Sequence, residues 1–196
     1  MKKIVSISLI IFVGFVTNLF AGDSKSIKRI SVGEKNAKIT IIAYESLTCG
    51  HCADFHMNVY PSLKKDFIAE GLVSIEFRHF PLDIAAFNAS KIGQCNNDGN
   101  AEVLNILFLG QKKWARGKTP EEATQYLKEF LKDEGVTLNF EKCLADKTIE
   151  DYILNDRIEG VKKFKVNATP TIIINDKKFE KALNYKNLKK YLERLI

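Results

Sequence analysis

The chain has 196 residues, and 45% of them are hydrophobic, enough for one sizeable globular core and too many for a disordered tail. Its formal charge is +6, from 30 Lys and Arg against 24 Asp and Glu. Basic runs as short as Lys162-Lys163-Phe164-Lys165 read as a solvated helix face, so no nucleic-acid partner is expected.

Lys2 and Lys3 precede a mostly apolar run from Ile4 to Phe20. Ala21-Gly22 then supplies small residues before the polar Asp23-Ser24. This pattern predicts a secretory signal peptide over residues 1–21, cut near Ala21, although Leu19 departs from the small residue wanted three positions before the cut. An uncleaved anchor is the alternative. No later stretch is long and apolar enough to span a membrane. Residues 1–21 hold two lysines and no acid, so their removal leaves about +4.

The exported chain is expected in the periplasm, a compartment where disulfides persist. All four cysteines, Cys49, Cys52, Cys95 and Cys143, follow the predicted signal. Four cysteines allow three pairings. The local pair Cys49–Cys52 is the natural one and leaves Cys95 with Cys143. That second link would staple distant parts of the chain, and a free, reactive pair is the rarer alternative.

In chain order, residues 23–36 form a lead-in with a minor strand near Ile27–Val32. Lys38–Tyr44 is β-branched and predicts a strand. Phe55, Val59, Leu63 and Phe67 then recur every four residues, the spacing of one helix face. Pro61 predicts a kink or restart within it, and Gly71 a stop. Leu72–Phe80 predicts a second strand, ended by Pro81. The β-α-β unit should have parallel strands and a right-handed crossover.

Asp83 to Lys165 is helical in pattern. Its clearest helix starts at Thr119, with Pro120 in the first turn and Glu122 completing a capping box. Ala123, Tyr126, Leu127, Phe130 and Leu131 make its apolar stripe, and Gly135 ends it. Trp114 is expected in the core or lining a groove. Strand signals return at Thr171–Asn175, followed by a turn over Asp176-Lys177-Lys178 and a short partner strand from Phe179. Leu188, Tyr191, Leu192 and Leu195 mark a last amphipathic helix.

The chemistry centres on Cys49-Gly50-His51-Cys52, which directly follows the first strand. Two cysteines with this spacing at a helix start can close a reversible disulfide. Unpaired N–H groups at the helix start favour a thiolate on the first sulfur. Cys49 should be exposed, Cys52 should point inward, and His51 lies near enough to favour the Cys49 thiolate. Thr169-Pro170, just before the third strand, is an ordinary strand boundary when taken alone. Beside the two sulfurs, a cis proline there would leave backbone groups free for an extended peptide.

The segment Tyr44 to His56, the strand exit Phe77-Arg78-His79-Phe80-Pro81-Leu82-Asp83 and the loop Ala168-Thr169-Pro170-Thr171 together resemble the DsbA family of exported disulfide oxidoreductases. The resemblance covers nearly all of the mature chain. It implies an α/β thioredoxin fold with an inserted all-helical domain. The thioredoxin-like part would be residues 22–82 and 166–196, and the insertion 83–165. It implies Cys49 as nucleophile, Cys52 as resolving sulfur, and Thr169 and Pro170 as the substrate loop. It is also consistent with a non-catalytic Cys95–Cys143 disulfide. The implied partners are exported proteins with free thiols and a DsbB-like membrane reoxidant. Separately from the resemblance, a monomer is expected rather than an obligate oligomer.

The pattern departs from the family at Gly50, where the best-known DsbA centre has proline. Thioredoxin-fold enzymes often carry a buried acid six residues before the first cysteine, where this chain has Ala43. Glu45 is then a candidate substitute proton acceptor, or else a plain surface carboxylate. His56 and His79 read as packing or surface residues. Gly50 and Thr169 also suit a disulfide isomerase or reductase. From a different class, a periplasmic copper or zinc carrier would use the C-x-x-C with a histidine. No metal, flavin or nucleotide cofactor is expected, since there is no Gly-rich phosphate loop.

Overall fold

A computed structural model describes residues 26–196; the predicted signal peptide lies outside the described residues. A five-stranded sheet forms the frame, from β1 (Ile30–Val32), β2 (Ile39–Glu45), β3 (Val73–His79), β4 (Thr171–Ile174) and β5 (Lys177–Lys178). The strand order is β1-β3-β2-β4-β5. β2 runs parallel to β3, with Ile41 opposite Ile75, and antiparallel to β4, with Ala43 opposite Ile172. β1 and β5 pair antiparallel at the two edges. β2 and β4 sit inside the sheet, which explains their unbroken runs of β-branched residues.

Between β2 and β3 the chain makes α1 (Gly50–Asn58), α2 (Tyr60–Leu63) and a wide π-helical turn over Lys64–Ile68. Phe55, Val59, Leu63 and Phe67 are all buried, the face read from their spacing. Pro61 falls in the first turn of α2, where its missing N–H costs nothing, so the helix restarts there. The π turn is closed by the five-back bond from Ala69 N to Lys64 O at 2.9 Å. Gly71 and Gly135 end their helical segments with φ of +70° and +74°, a conformation glycine adopts without strain.

Six helices lie between β3 and β4, as the inserted helical domain of a thioredoxin fold. They are α3 (Ile84–Gln94), α4 (Glu102–Leu109), α5 (Gln111–Trp114), α6 (Pro120–Asp133), α7 (Phe140–Ala145) and α8 (Lys147–Phe164). Thr119 caps α6 by accepting from Glu122 N at 3.2 Å. The Glu122 carboxylate reaches back to Lys118 N at 2.7 Å, one residue earlier than a capping box requires. Helix α9 (Tyr185–Leu192) closes the chain, with Leu188 and Leu192 buried and Leu195 lying beyond its last turn.

One turn differs from expectation. Asn175 and Asp176, with φ of +45° and +61°, make the reversal, and Lys177-Lys178 already form β5. Two central residues at positive φ match the twist of a two-residue hairpin, and Asn and Asp tolerate that region better than lysine. Phe179 follows β5 and donates its N–H to Ile172 O at 2.8 Å.

A single apolar core runs from the sheet into the helical insertion, joining Ile41, Phe55 and Ile75 to Leu107, Trp114 and Leu127. A smaller cluster of Tyr44, Phe80, Val166 and Ile173 is separate from it. Trp114 is fully buried and donates its indole N–H to Leu107 O at 2.8 Å, so it belongs to the core. Gly110, between α4 and α5, lies under the Phe130 ring. A Cβ there would sit 2.0 Å from Phe130 Cζ. Cys95 and Cys143 are joined by a disulfide with their Cα atoms 5.5 Å apart, tying the end of α3 to α7.

Two outcomes are expected in urea unfolding followed by circular dichroism. Gly110→Ala should lower stability by about 1–3 kcal/mol, because the added methyl overpacks against a buried ring. Cys95→Ala/Cys143→Ala should lose up to about 4 kcal/mol, the chain-entropy figure for a loop spanning 48 residues.

Candidate active site

β2 ends in the buried Tyr44 and Glu45, and Ser46 and Leu47 just beyond it are buried too, before the chain surfaces at Cys49. Cys49 is the N-cap of α1, in extended conformation. Its N–H donates to Ser46 O at 3.0 Å, and its carbonyl accepts from Cys52 N at 3.1 Å and Ala53 N at 3.2 Å. This tight turn leaves the Cys49 sulfur half-exposed and buries Cys52 completely, one turn further in. Both are free thiols.

The Cys49 thiol is held well below its ordinary range, at about 5. The hydrogen bond from the Cys52 thiol is the main cause. Partial burial opposes it, while Thr169 and the backbone N–H groups of Cys52 and His51 add to it. The Thr169 hydroxyl is buried with no hydrogen-bond partner. Cys52 is pushed far up, first by burial and then by its bond to Cys49 and the nearby Glu45 charge. The two sulfurs are thus split into a ready thiolate and a shielded thiol.

His51 acts on the sulfur through its backbone N–H. Its ring is 88% exposed and faces Asp54 at 4.0 Å. Across from α1, the Thr169–Pro170 peptide bond is cis. In its thiol form Cys49 donates from Sγ to the Thr169 carbonyl at 3.3 Å, which brings the loop before β4 into contact with the nucleophile over 120 residues of sequence. A cleft of about 530 Å³ opens beside it, lined by His51, Asp54, Phe55, Asn58, Pro170 and Tyr185 among others.

Glu45 is buried rather than on the surface. Its Oε2 meets His56 Nε2 at 2.9 Å, and its Oε1 has no partner. Burial pushes the Glu45 carboxyl above the usual carboxylate range, with His56 opposing. His56 Nδ1 contacts Asn105 Oδ1 at 3.0 Å, and its ring stacks on Phe108 with centroids 4.1 Å apart. An amide oxygen only accepts, so with Asn105 in this orientation Nδ1 is the donor, and Nε2 is turned to Glu45. His56 therefore does more than pack. Its spacing of four residues from Cys52 was the one hint in the sequence, and Asn105 gave none.

His79 lies away from the sulfurs, buried against Gln94, with its backbone N–H on Asp156. The Cys95–Cys143 link belongs to the helical insertion. Two further ties escape sequence reasoning because their partners are far apart in the chain. Asp83, the N-cap of α3, accepts from Thr48 Oγ1 at 2.7 Å. Gln111 Nε2 donates to Leu47 O at 2.8 Å and Cys49 O at 3.0 Å. Among the described residues, no group of three or more His, Cys, Asp or Glu side chains is arranged to hold a metal ion.

A family model described as Thioredoxin matches residues 25–194. A Rickettsia bellii relative named as a protein-disulfide oxidoreductase is 29% identical over 147 residues, which cover 74% of this chain and 56% of that one. The chain thus spans little more than half the length of that relative. Disulfide bond formation protein D of Bacillus subtilis is 25% identical over 177 residues, covering 83% of this chain and 75% of its own length. The crystal structure of Wolbachia pipientis alpha-DsbA1 matches with a TM-score of 0.76 at 28% identity, over 85% of this chain and 90% of the other. The chain belongs to the thioredoxin family and is a DsbA-like member of it.

Proposed function

We propose that this protein is an exported thiol:disulfide oxidoreductase that introduces disulfide bonds into periplasmic or secreted proteins. The observation that carries the reading is the split pair of sulfurs, a half-exposed Cys49 thiolate above a buried Cys52 thiol, set against the Thr169–Pro170 loop. The names borne by its relatives point the same way. Residues 22–82 and 166–196 would carry the redox centre, and 83–165 the helical insertion.

In the oxidised enzyme, a substrate thiolate attacks Cys49 Sγ. The Cys49–Cys52 bond breaks and Cys52 leaves as a thiolate, giving a mixed disulfide. A buried thiolate is costly, so Cys52 takes up a proton. Glu45 is the buried acid whose charge bears on Cys52, and His56 Nε2 lies 2.9 Å from its Oε2. A second substrate thiolate then attacks the substrate sulfur of the mixed disulfide, and Cys49 leaves. Two substrate thiols have become a disulfide, and the enzyme disulfide has become a dithiol. Cys49 leaves readily because a low-pKa thiol is a good leaving group. A DsbB-like membrane oxidant would take the electron pair and restore the disulfide. The substrate segment would lie extended beside Pro170, in the cleft reaching Tyr185.

Two measurements test this. Thiolate absorbance of the reduced protein should titrate with a midpoint near pH 5 for Cys49. In Cys52→Ala the midpoint should rise toward the ordinary thiol range, because the bond that favours the thiolate is gone. Reactivity toward iodoacetamide should accordingly stay flat from about pH 7 upward and fall below pH 5 as the thiolate is protonated.

The reduction potential of the Cys49–Cys52 pair, measured against glutathione in Cys95→Ala/Cys143→Ala protein, should lie near the about −120 mV of DsbA. A value near the about −270 mV of thioredoxin would replace the oxidase with a reductase. A pair that fails to exchange would leave the metal-carrier reading.

A further inference from the structure

The redox centre sits at the end of β2, but one of its supports comes from the inserted helices. Gln111, the first residue of α5, is 7% exposed and points its amide at the turn before α1. Both protons of Nε2 are used, one on Leu47 O at 2.8 Å and one on Cys49 O at 3.0 Å. The acceptors lie 64 and 62 residues earlier in the chain. Leu47 O lies in a buried segment, where losing its donor would leave an unpaired carbonyl.

The base that aims Gln111 is stiff. The Phe130 ring fills the place a side chain at Gly110 would take, so the turn just before Gln111 packs directly against it. Trp114, fully buried, ties α5 to α4 through Leu107 O, and Ala115 N bonds Gln111 O at 2.8 Å. Gln111 also places the positive end of an amide dipole beside the residue that must carry a negative sulfur.

We propose that Gln111 is a positioning residue of the redox centre, through which the helical insertion holds the Cys49 turn in its exchange-competent shape. The inference rests on the exchange reading above and adds a residue that touches neither substrate nor sulfur. Its action is twofold. The clamp fixes the turn that aims the Cys52 and His51 N–H groups at Cys49 Sγ. It also cancels the negative ends of two carbonyls that would otherwise repel the thiolate.

The test is thiolate titration and reduction potential of Gln111→Met, which keeps the length and volume but has no donor. The Cys49 midpoint should rise by about one pH unit, a tenfold loss of thiolate preference. The potential should move about 30 mV toward the reducing side. Gln111→Glu, which keeps the shape and replaces the donor with acceptors, should rise at least as far, and it decides the matter if Gln111→Met does not fold. Phe140→Leu, a destabilising change elsewhere in the insertion, should lower stability and leave the midpoint within about 0.2 pH units. A folded Gln111 variant with the wild-type midpoint and potential would overturn the proposal and leave the clamp a structural tie. A wild-type midpoint in the ordinary thiol range would sink the exchange reading itself.

Discussion

A thiolate is stable at Cys49 because donors converge on one sulfur that water still reaches. The Cys52 thiol and two backbone N–H groups face it, with Thr169 beside it, and together they outweigh its partial burial. Each donor comes from a different structural decision. The N–H groups need α1 to begin at Cys49, and Thr169 needs the loop before β4 to cross over. The central place of β2 in the sheet serves this end, since β3 and β4 flank the strand that delivers the nucleophile.

Polar groups buried beneath the sulfurs are the cost of that arrangement. Glu45 is almost fully buried with one oxygen unpaired, a condition that ordinarily costs about 1–3 kcal/mol. The fold offsets it in part by setting His56 against the other oxygen and stacking that ring on Phe108. A second buried carboxylate, Asp156, is treated differently. It takes an ion pair from Arg29 and the His79 backbone N–H, which leaves it well satisfied. The contrast separates a structural tie, with every partner in place, from a site left one partner short beside reactive sulfurs.

The helical insertion is part of the same core as the sheet, not an appendage. Leu107, Trp114 and Leu127 pack continuously with Ile41 and Phe55. Thr48 meets Asp83 at the start of the insertion, and Leu47 and Cys49 meet Gln111 in its middle. The disulfide between Cys95 and Cys143 shortens the free length of the insertion in the unfolded chain. These bonds tie the insertion directly to the active-site turn.

The local patterns were legible in the sequence alone. Strand composition marked β2 and β4, the four-residue spacing marked the face of α1 and α2, and Thr119, Pro120 and Glu122 marked the start of α6. These signals are short-range, set by propensity and capping within a few residues. The C-x-x-C and its place after a strand named the chemistry for the same reason. The hairpin turn was placed one residue late at its start and two late at its end because Asn175 read as a strand end, whereas backbone twist favours it at positive φ. Only the tertiary structure decided that Glu45 points inward, that His56 is its partner, and that Gln111 reaches the nucleophile's turn. Those outcomes depend on which side chains meet across gaps of 11 to 64 residues. No periodicity records such meetings, because they follow from how whole layers pack rather than from any local preference of the chain.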